Sequence, residues 1–309
     1  MPRKKFIEED SNSSDDGSKS VPGRRLFRVF RLLSSPNASK SHRVKKNGRS
    51  FIPSDGLRDE RLESMHLYYS NFVAPVDDDL ARGIKVLDVG CGGGGWLMDM
   101  ASDYPNSEFV GTDIVDLFLK HGTPPQNCKF MLANTVKGLP FEDNTFDFVH
   151  QRSVLLLMVF DFSPSDWATA MKEMIRVTKP GGWIQITEGD IIIERSGPLM
   201  KRFLEAAEAI SKSRGVDVRV VRNLGSLFSS LDNVEVDCVS CPTGWQDKWG
   251  DMALQNLLGF VKATRAGVMP ILNITDKEFE DMVSKMAQEC KEYKSLGSLP
   301  YAFGQKKRA

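Results

Sequence analysis

The chain has 309 residues, with 41 basic and 41 acidic side chains, so its formal net charge at pH 7 is zero. This balance conceals an acidic body over residues 59–309, which argues against a nucleic-acid-binding role, since such a role usually needs a basic surface. The longest apolar run, residues 154–160, is too short to span a membrane. A chain of this length can bury a substantial core and suits one large α/β domain with additions.

The charges are unevenly distributed along the chain. Residues 1–58 hold 14 Lys or Arg against 6 Asp or Glu, and their composition predicts a disordered basic tail over residues 1–50, followed by one domain over residues 51–309. Within the tail, residues 24–33 can form a basic amphipathic helix that binds a membrane surface or a protein partner. The alternative, that this helix is transient or docks on its own domain, stays open.

Localisation is predicted from the same region. The opening residues 1–5 run into acids rather than an apolar core, so we expect no secretory signal. The basic pairs at residues 4–5 and 45–46 are compatible with a nuclear address, although such pairs are common in linkers. We therefore expect a cytoplasmic protein, with the nucleus as the alternative.

Five cysteines occur in the chain, and Cys238-x-x-Cys241 is a single CxxC pair without a second pair to complete it. A structural zinc site usually needs four ligands, and no histidine is spaced to supply the missing ones. The sequence therefore predicts no metal site and an intracellular, reducing environment.

Hydrophobic periodicity predicts an alternation of strands and helices after an amphipathic helix over residues 59–72. Strands are predicted over residues 85–89, 108–112, 129–132, 146–150, 183–187, 234–240 and 301–305. Helices are predicted over residues 96–102, 165–177, 198–213 and 223–230. A further helical insert is predicted over residues 245–292, and we expect the segments 197–230 and 245–292 to form a helical cap.

The helix over residues 165–177 is predicted in more detail. Ser165 is a suitable N-cap, and the helical spacing turns four apolar side chains inward: Ala168, Met171, Met174 and Ile175. The residues 180–182, Pro-Gly-Gly, are expected to end this helix before the next strand.

The most informative segment is residues 86–95, where an apolar strand containing Asp88 runs into five glycines within six residues. A second strand follows and ends in Asp113. A glycine-rich turn with an acid about 20 residues later is how a βαβ unit holds an adenosine cofactor. The spacing satisfies both the dinucleotide pattern Gly90-x-Gly92-x-x-Gly95 and the pattern Asp88-x-Gly90-x-Gly92-x-Gly94 of another cofactor class.

The charge of Asp88 favours the second pattern. A carboxylate two residues before the first glycine suits a cofactor with an ammonium group and would repel a pyrophosphate. Residues 138–150 and 176–186 resemble the fourth-strand and fifth-strand motifs of class I S-adenosylmethionine (SAM)-dependent methyltransferases. Their order and spacing match that family over residues 86–188. A nicotinamide-dependent oxidoreductase is the weaker alternative.

This resemblance implies a Rossmann-like α/β fold with a seven-stranded, mostly parallel sheet of order 3-2-1-4-5-7-6, helices on both faces and a helical cap. It also implies SAM as cofactor and an enzyme that transfers the methyl group to a small-molecule or protein acceptor by in-line displacement. Composition does not identify this acceptor.

A looser resemblance covers residues 58–307. The segments that carry it are residues 58–66, 148–152, 215–217 and 301–307. They are similar to the fungal methyltransferase-domain proteins that include the LaeA-type regulators of secondary metabolism. This resemblance implies an alternative function, a SAM-binding regulator that acts mainly through protein partners, with the N-terminal tail as the contact.

The methyltransferase resemblance assigns cofactor contacts residue by residue. Asp88 is expected to hold the amino group of SAM or, alternatively, to cap the turn. Asp113 is expected to accept hydrogen bonds from the ribose hydroxyls, and Ile114 to cover the adenine. Asn134 stands where relatives often carry an aspartate, and its oxygen can still accept a bond from the adenine amine. The other predicted cofactor contacts are Gly90, Cys91, Gly92, Gly94, Thr135 and Gln151.

Catalytic candidates are fewer. His150 and His66 are the histidines expected near the site, and either is a candidate base for the acceptor, although a lone histidine is more often structural. Methyl transfer can also proceed without a base, because positioning supplies much of the acceleration. Arg152 is expected to hold an acidic substrate or to brace a loop, and Glu188 to face the acceptor or a turn.

Overall fold

The computed structural model describes residues 71–118, 123–152, 163–246 and 248–308. The predicted tail over residues 1–50, its amphipathic helix, the domain boundary at residue 51 and His66 lie outside these residues. So does nearly all of the helix predicted over residues 59–72. No helix among the described residues has both the length and the apolar character needed to cross a membrane.

Seven strands form one sheet of order β3-β2-β1-β4-β5-β7-β6. Their bounds are β1 Lys85–Val89, β2 Glu108–Asp113, β3 Cys128–Leu132, β4 Phe146–Arg152, β5 Thr178–Thr187, β6 Asp232–Pro242 and β7 Leu296–Gln305. Strands β1 to β5 pair in parallel, whereas β7 is antiparallel to both β5 and β6. The predicted sheet order is confirmed, and the order reverses between β1 and β4.

Eight α-helices lie in the described part of the chain. They are α1 Asp77–Arg82, α2 Gly95–Asp103, α3 Pro164–Val177, α4 Pro198–Ser213, α5 Leu224–Leu227, α6 Lys248–Ala263, α7 Arg265–Leu272 and α8 Asp276–Glu292. Short 3₁₀ turns occupy Thr135–Lys137 and Val218–Asn223.

The central strands are covered on both faces, as a mostly parallel sheet requires, whereas residues 232–240 of the edge strand β6 are exposed. Neighbouring residues of β1 show the coverage of both faces, because Val86 packs with α1 and α2 whereas Leu87 packs with α3 and residues 216–231. A separate apolar cluster joins α4, α6, α7 and α8, which we call the cap helices. The predicted helices on both faces are therefore present. Residues 216–230, predicted as part of the cap, instead pack with the sheet cluster, and the position of the cap helices over the site stays a prediction.

Two details of α3 differ from prediction. The helix begins at Pro164 with Ser163 as N-cap, and Ser163 and Asp166 form a reciprocal capping box. Proline is favoured in a first helical turn, where its missing N–H costs nothing, so the cap falls two residues before the predicted Ser165. Ala168 is exposed, and Trp167 takes the buried position instead.

The start of β5 also differs from prediction. Residues 180–182 belong to the strand, which begins at Thr178 immediately after α3. The pairing of β4 with β5 shifts between Phe146 and Phe148, and this irregularity accommodates the extra residues. Gly181 N–H donates to Lys306 O, so the Pro-Gly-Gly segment makes a backbone hydrogen bond to the residue that follows β7.

Candidate active site

The glycine-rich turn between β1 and α2 has a backbone that other residues rarely adopt. Gly90, Gly92 and Gly94 have φ angles of 72°, 57° and 89°, in the left-handed region that glycine occupies without strain. The N–H groups of Gly90 and Cys91 donate to Thr112 O at 2.7 and 2.9 Å. The turn is therefore fastened to the end of β2.

Gly94 has a second requirement. A Cβ built on Gly94 would overlap the ring of Phe130, which lies on β3. The sequence pattern predicts a ligand as the reason for the missing side chain. At this position, close packing against Phe130 is already a sufficient reason.

Asp113 is held against the glycine turn from the end of β2. Its Oδ2 accepts from Gly92 N–H at 3.0 Å and its Oδ1 accepts from Val115 N–H at 2.9 Å. A carboxylate has about four acceptor positions, so Asp113 keeps acceptor capacity for two ligand hydroxyls. The neighbouring Ile114 leaves 46% of its surface exposed, as a side chain that covers a ligand ring would.

The end of β3 lies beside Asp113, because Ala133 N–H donates to Asp113 O at 2.9 Å. The next residue, Asn134, uses its side-chain oxygen to accept from Val136 N–H at 3.1 Å and so starts the 3₁₀ turn containing Thr135. The structure thus brings these predicted adenine-side residues together with Asp113. Their contacts with a cofactor stay predictions.

Asp88 faces a histidine. Its Oδ1 lies 2.8 Å from His150 Nδ1, and both side chains are buried. The His150 ring stacks on Trp96 with 3.9 Å between ring centroids, and Trp96 Nε1–H donates to Asn71 O. One chain of contacts therefore joins β1, β4, α2 and the segment before α1.

The protonation of His150 follows from this burial. Desolvation lowers the pKa of His150, and the nearby Asp88 opposes that shift. The imidazole is therefore neutral near pH 7, with Nδ1–H donating to the carboxylate. Among the described residues, His150 Nε2 is buried and makes no hydrogen bond.

These contacts change two predictions. A base must reach the proton it removes, and the fully buried His150 presents no surface to an acceptor. The structure therefore favours the structural role of His150 over the predicted catalytic one. Because Asp88 Oδ1 is bonded to His150, mainly the other oxygen of Asp88 is available for its predicted bond to the amino group of SAM.

The side chains of Gln151 and Glu188 lie on the sheet face opposite to that of Asp88 and His150. Gln151 Nε2 donates to Glu188 Oε1 at 3.4 Å, and Glu188 is fully buried. The predicted contact of Gln151 with the methionine part of a cofactor has no support from its side-chain position, although its backbone lies at the end of β4. The suggestion that Glu188 faces an acceptor conflicts with its burial.

Cys91 lies within the glycine turn, and its side chain is partly buried. Burial, together with Asp88 and Asp113, raises the pKa of the Cys91 thiol well above its usual range. The thiol is therefore neutral, and its predicted role as a cofactor contact is limited to packing and weak hydrogen bonding. It is not an activated nucleophile.

Gln185 has a structural role that the sequence gives no signal for. Its Oε1 accepts from the N–H groups of Val73 and Ala74 at 2.8 and 2.9 Å. Gln185 is the strand neighbour of His150, which is in turn the strand neighbour of Asp88. We call the row Asp88, His150 and Gln185, together with the glycine turn, the site floor.

No cluster of three or more potential metal-ligating side chains occurs in the parts of the chain that the structure covers. Cys238 is exposed on β6 and Cys241 is buried, so the two thiols of the CxxC pair have different environments.

Known proteins similar to this chain include methyltransferases. Residues 86–182 match the family model described as "Methyltransferase domain". The chain is 26% identical over 258 residues to the N-methyltransferase sirN of Leptosphaeria maculans, covering 79% of this chain and 89% of the relative. It is 32% identical to the N-methyltransferase verN of Clonostachys rogersoniana, over 54% of this chain and 57% of the relative.

The fold has a counterpart among solved structures. A candidate methyltransferase from an antibiotic biosynthesis pathway of Anabaena variabilis matches with a TM-score of 0.50 and 14% identity, covering 73% of this chain and 92% of that chain. At this identity the match supports the fold. The relatives above do not test the narrower LaeA-type resemblance, which stays a hypothesis.

Proposed function

We propose that this chain, which belongs to the class I SAM-dependent methyltransferases, methylates a nitrogen atom of a small molecule. The match of residues 86–182 to a methyltransferase domain favours the methyltransferase interpretation of the glycine turn over the dinucleotide interpretation. The choice of nitrogen is supported by sirN and verN, which are both named N-methyltransferases. The alignment with sirN extends over most of both chains.

One observation carries the proposal: Asp113 is bonded to the backbone of the glycine turn through Gly92. This contact fixes the distance between a carboxylate and a side-chain-free backbone, the two groups that hold the ribose and the methionine part of SAM. The exposed Ile114 completes the same edge. The residues present therefore fit SAM, with Asp113 for the ribose, Ile114 for the adenine and the glycine turn for the methionine part.

Within the described residues, no side chain of the site floor is an accessible base, and a nitrogen acceptor does not need one; His66 lies outside those residues. When bound, SAM supplies a methyl group that is already electrophilic, so the protein needs to orient the acceptor. His150 cannot reach an acceptor proton from its buried position. A neutral nitrogen has an available lone pair, and solvent can take its proton afterwards. In-line displacement is part of this proposal.

The regulatory alternative has less support. It depends on protein contacts through residues 1–50, which lie outside the described residues, and no contact within the described residues favours it. We therefore propose catalysis as the main role.

Labelled methyl transfer tests the proposal. The purified chain would be incubated with trideuteromethyl SAM and matched amines, amides, alcohols and thiols, and the products would be located by tandem mass spectrometry. We expect label on nitrogen. Label confined to oxygen, carbon or sulfur would overturn the nitrogen assignment, and absence of SAM binding would overturn the methyltransferase function.

Asp113→Ala tests the cofactor site separately. Loss of the hydrogen bonds to the ribose should weaken SAM binding by about 2–4 kcal/mol, measured by isothermal titration calorimetry. Asp116→Ala, on the same loop, is the matched control. Unchanged affinity in the Asp113 variant would contradict the ribose role.

A further inference from the structure

Arg152 is the last residue of β4 and lies at the point where the sheet order reverses. The parallel register pairs Val89 of β1 with Gln151 of β4. The next residue of each chain segment, Gly90 and Arg152 respectively, therefore lies beside the other at the carboxyl ends of the two strands. Ligands of open α/β sheets bind in the crevice outside the carboxyl ends of such strands. Arg152 therefore borders the crevice where the glycine turn begins.

The Arg152 side chain is on the same sheet face as His150, because side chains alternate along a strand. It is partly buried. Within the described residues, its guanidinium makes no hydrogen bond or ion pair, although Asp88 is close enough to influence it electrostatically. Burial lowers the pKa of Arg152 to about 10, so the group is charged at neutral pH.

The neighbouring carboxylates are committed to other partners. Asp88 Oδ1 is bonded to His150, and Glu188 lies on the opposite face, where it accepts from Gln151. Neither forms an ion pair with Arg152. A cation that is partly removed from water without a bonded anion costs free energy, and that cost is recovered when a ligand supplies the anion.

Other arginines of the chain differ from Arg152 in this respect. Arg176 bonds to Glu173 and Asp143, and Arg222 bonds to Asp190. Both have acidic partners within hydrogen-bond distance. Arg195 and Arg202 also lack an acidic partner among the described residues, but Arg195 lies over the Trp245 ring and Arg202 donates to Leu272 O. Arg152 makes no such contact within the described residues.

We propose that Arg152 binds a carboxylate in the crevice between β1 and β4, through the paired N–H groups of its guanidinium. This inference rests on the proposed SAM-dependent function. The carboxylate has two possible sources, the methionine part of SAM itself or the methyl acceptor. Both have the same chemistry, and binding experiments separate them.

The first experiment compares S-adenosylhomocysteine with 5′-methylthioadenosine, a nucleoside that lacks both the amino group and the carboxylate of the amino-acid part. Calorimetry would measure both affinities in wild type, Arg152→Gln and Arg152→Lys. If the cofactor is the source, Arg152→Gln should weaken S-adenosylhomocysteine by about ten- to a hundredfold and leave 5′-methylthioadenosine unchanged. Arg152→Lys should retain part of the affinity, because it keeps the charge without the planar fork.

The second experiment addresses the acceptor. Protein saturated with S-adenosylhomocysteine would be mixed with N-acetyl amino acids and with their amides, and binding would be followed by saturation-transfer NMR. If the acceptor is the source, wild type binds the acids in preference to the amides, and Arg152→Gln loses that preference. Arg219→Gln, which removes an exposed ion pair with Glu208, is the control in both experiments.

Circular dichroism and thermal unfolding would confirm that each variant is folded. Loss in either experiment supports the proposal and names the source. The carboxylate site is overturned if Arg152→Gln prefers S-adenosylhomocysteine to 5′-methylthioadenosine as strongly as wild type does, and if wild type does not prefer the acids to the amides. The methyltransferase function would stand in that case. Failure of wild type to bind either nucleoside overturns the proposed function and this inference with it.

Discussion

The site floor and the cap helices are stabilised by different means. The site floor buries Asp88, His150 and Gln185, and each of them bonds to a partner distant in the chain. The cap helices share an apolar cluster, and one carboxylate, Glu289, bonds to the N–H groups of Leu199 and Met200 at the start of α4.

This difference implies different tolerance to change. A buried polar row keeps one geometry, because every displacement leaves a donor or acceptor unpaired. An apolar cluster tolerates substitutions that conserve volume. We therefore expect the site floor to tolerate fewer substitutions than the cap helices. Changes in each region should have separable effects.

The largest effect is expected for His150→Ala. This variant removes the partner of the buried Asp88 and the ring that stacks on Trp96. Leaving a buried charge unpaired should reduce the free energy of unfolding by about 3–5 kcal/mol, measured by urea denaturation. The double variant Asp88→Asn/His150→Phe should recover much of the loss, since it removes the charge and keeps a ring.

An exposed pair provides the control for this variant. Arg82→Ala removes the surface ion pair with Asp79 and should cost about 1 kcal/mol or less. Equal losses in His150→Ala and Arg82→Ala would contradict a special role for the site floor.

A smaller effect is expected for Gly94→Ala. The new Cβ would overlap Phe130, and the residue would have to keep a φ of 89°. Overpacking and backbone strain together should cost about 2–4 kcal/mol, measured by thermal unfolding, and should weaken SAM binding. Gly215→Ala is a matched control, because its φ is also positive at 73° but nothing lies within 4 Å. Similar losses in both variants would show that packing against Phe130 contributes little.

The corresponding change in the cap helices is Glu289→Ala. It leaves the N–H groups of Leu199 and Met200 without their acceptor and should cost about 1–3 kcal/mol of stability. We expect unchanged affinity for S-adenosylhomocysteine, because Glu289 is not part of the site floor. The control Glu292→Ala removes an exposed bond on the same helix. A large loss of cofactor affinity in Glu289→Ala would show that the two regions are coupled.

The smallest effect is a pH dependence. Burial lowers the pKa of His150 in the folded protein below its ordinary value of 6.5, so the unfolded chain binds the proton more readily. Stability should therefore fall as the pH drops below about 6.5, by at most about 1 kcal/mol at pH 6. The His150→Phe variant should show a weaker dependence over this window. Identical pH profiles in both proteins would contradict a neutral, buried imidazole.

Local sequence patterns predicted a large part of this fold. The strand, glycine turn and helix over residues 85–103 were recognisable because glycine spacing and apolar periodicity are properties of neighbouring residues. The sheet order followed from the family resemblance. The start of β5 was missed because strand pairing with β4, and not local propensity, decides whether residues 180–182 are extended.

The amino-acid sequence by itself determined the order of strands and helices, the glycine turn and the acid that follows it, since these depend on backbone preference over short distances. Tertiary structure decided what the polar side chains contact. Asp88 and His150 are 62 residues apart, and Gln185 is 112 residues from Val73. Such pairs form because strand order and register place them together, and the same register leaves Arg152 without an acidic partner among the described residues.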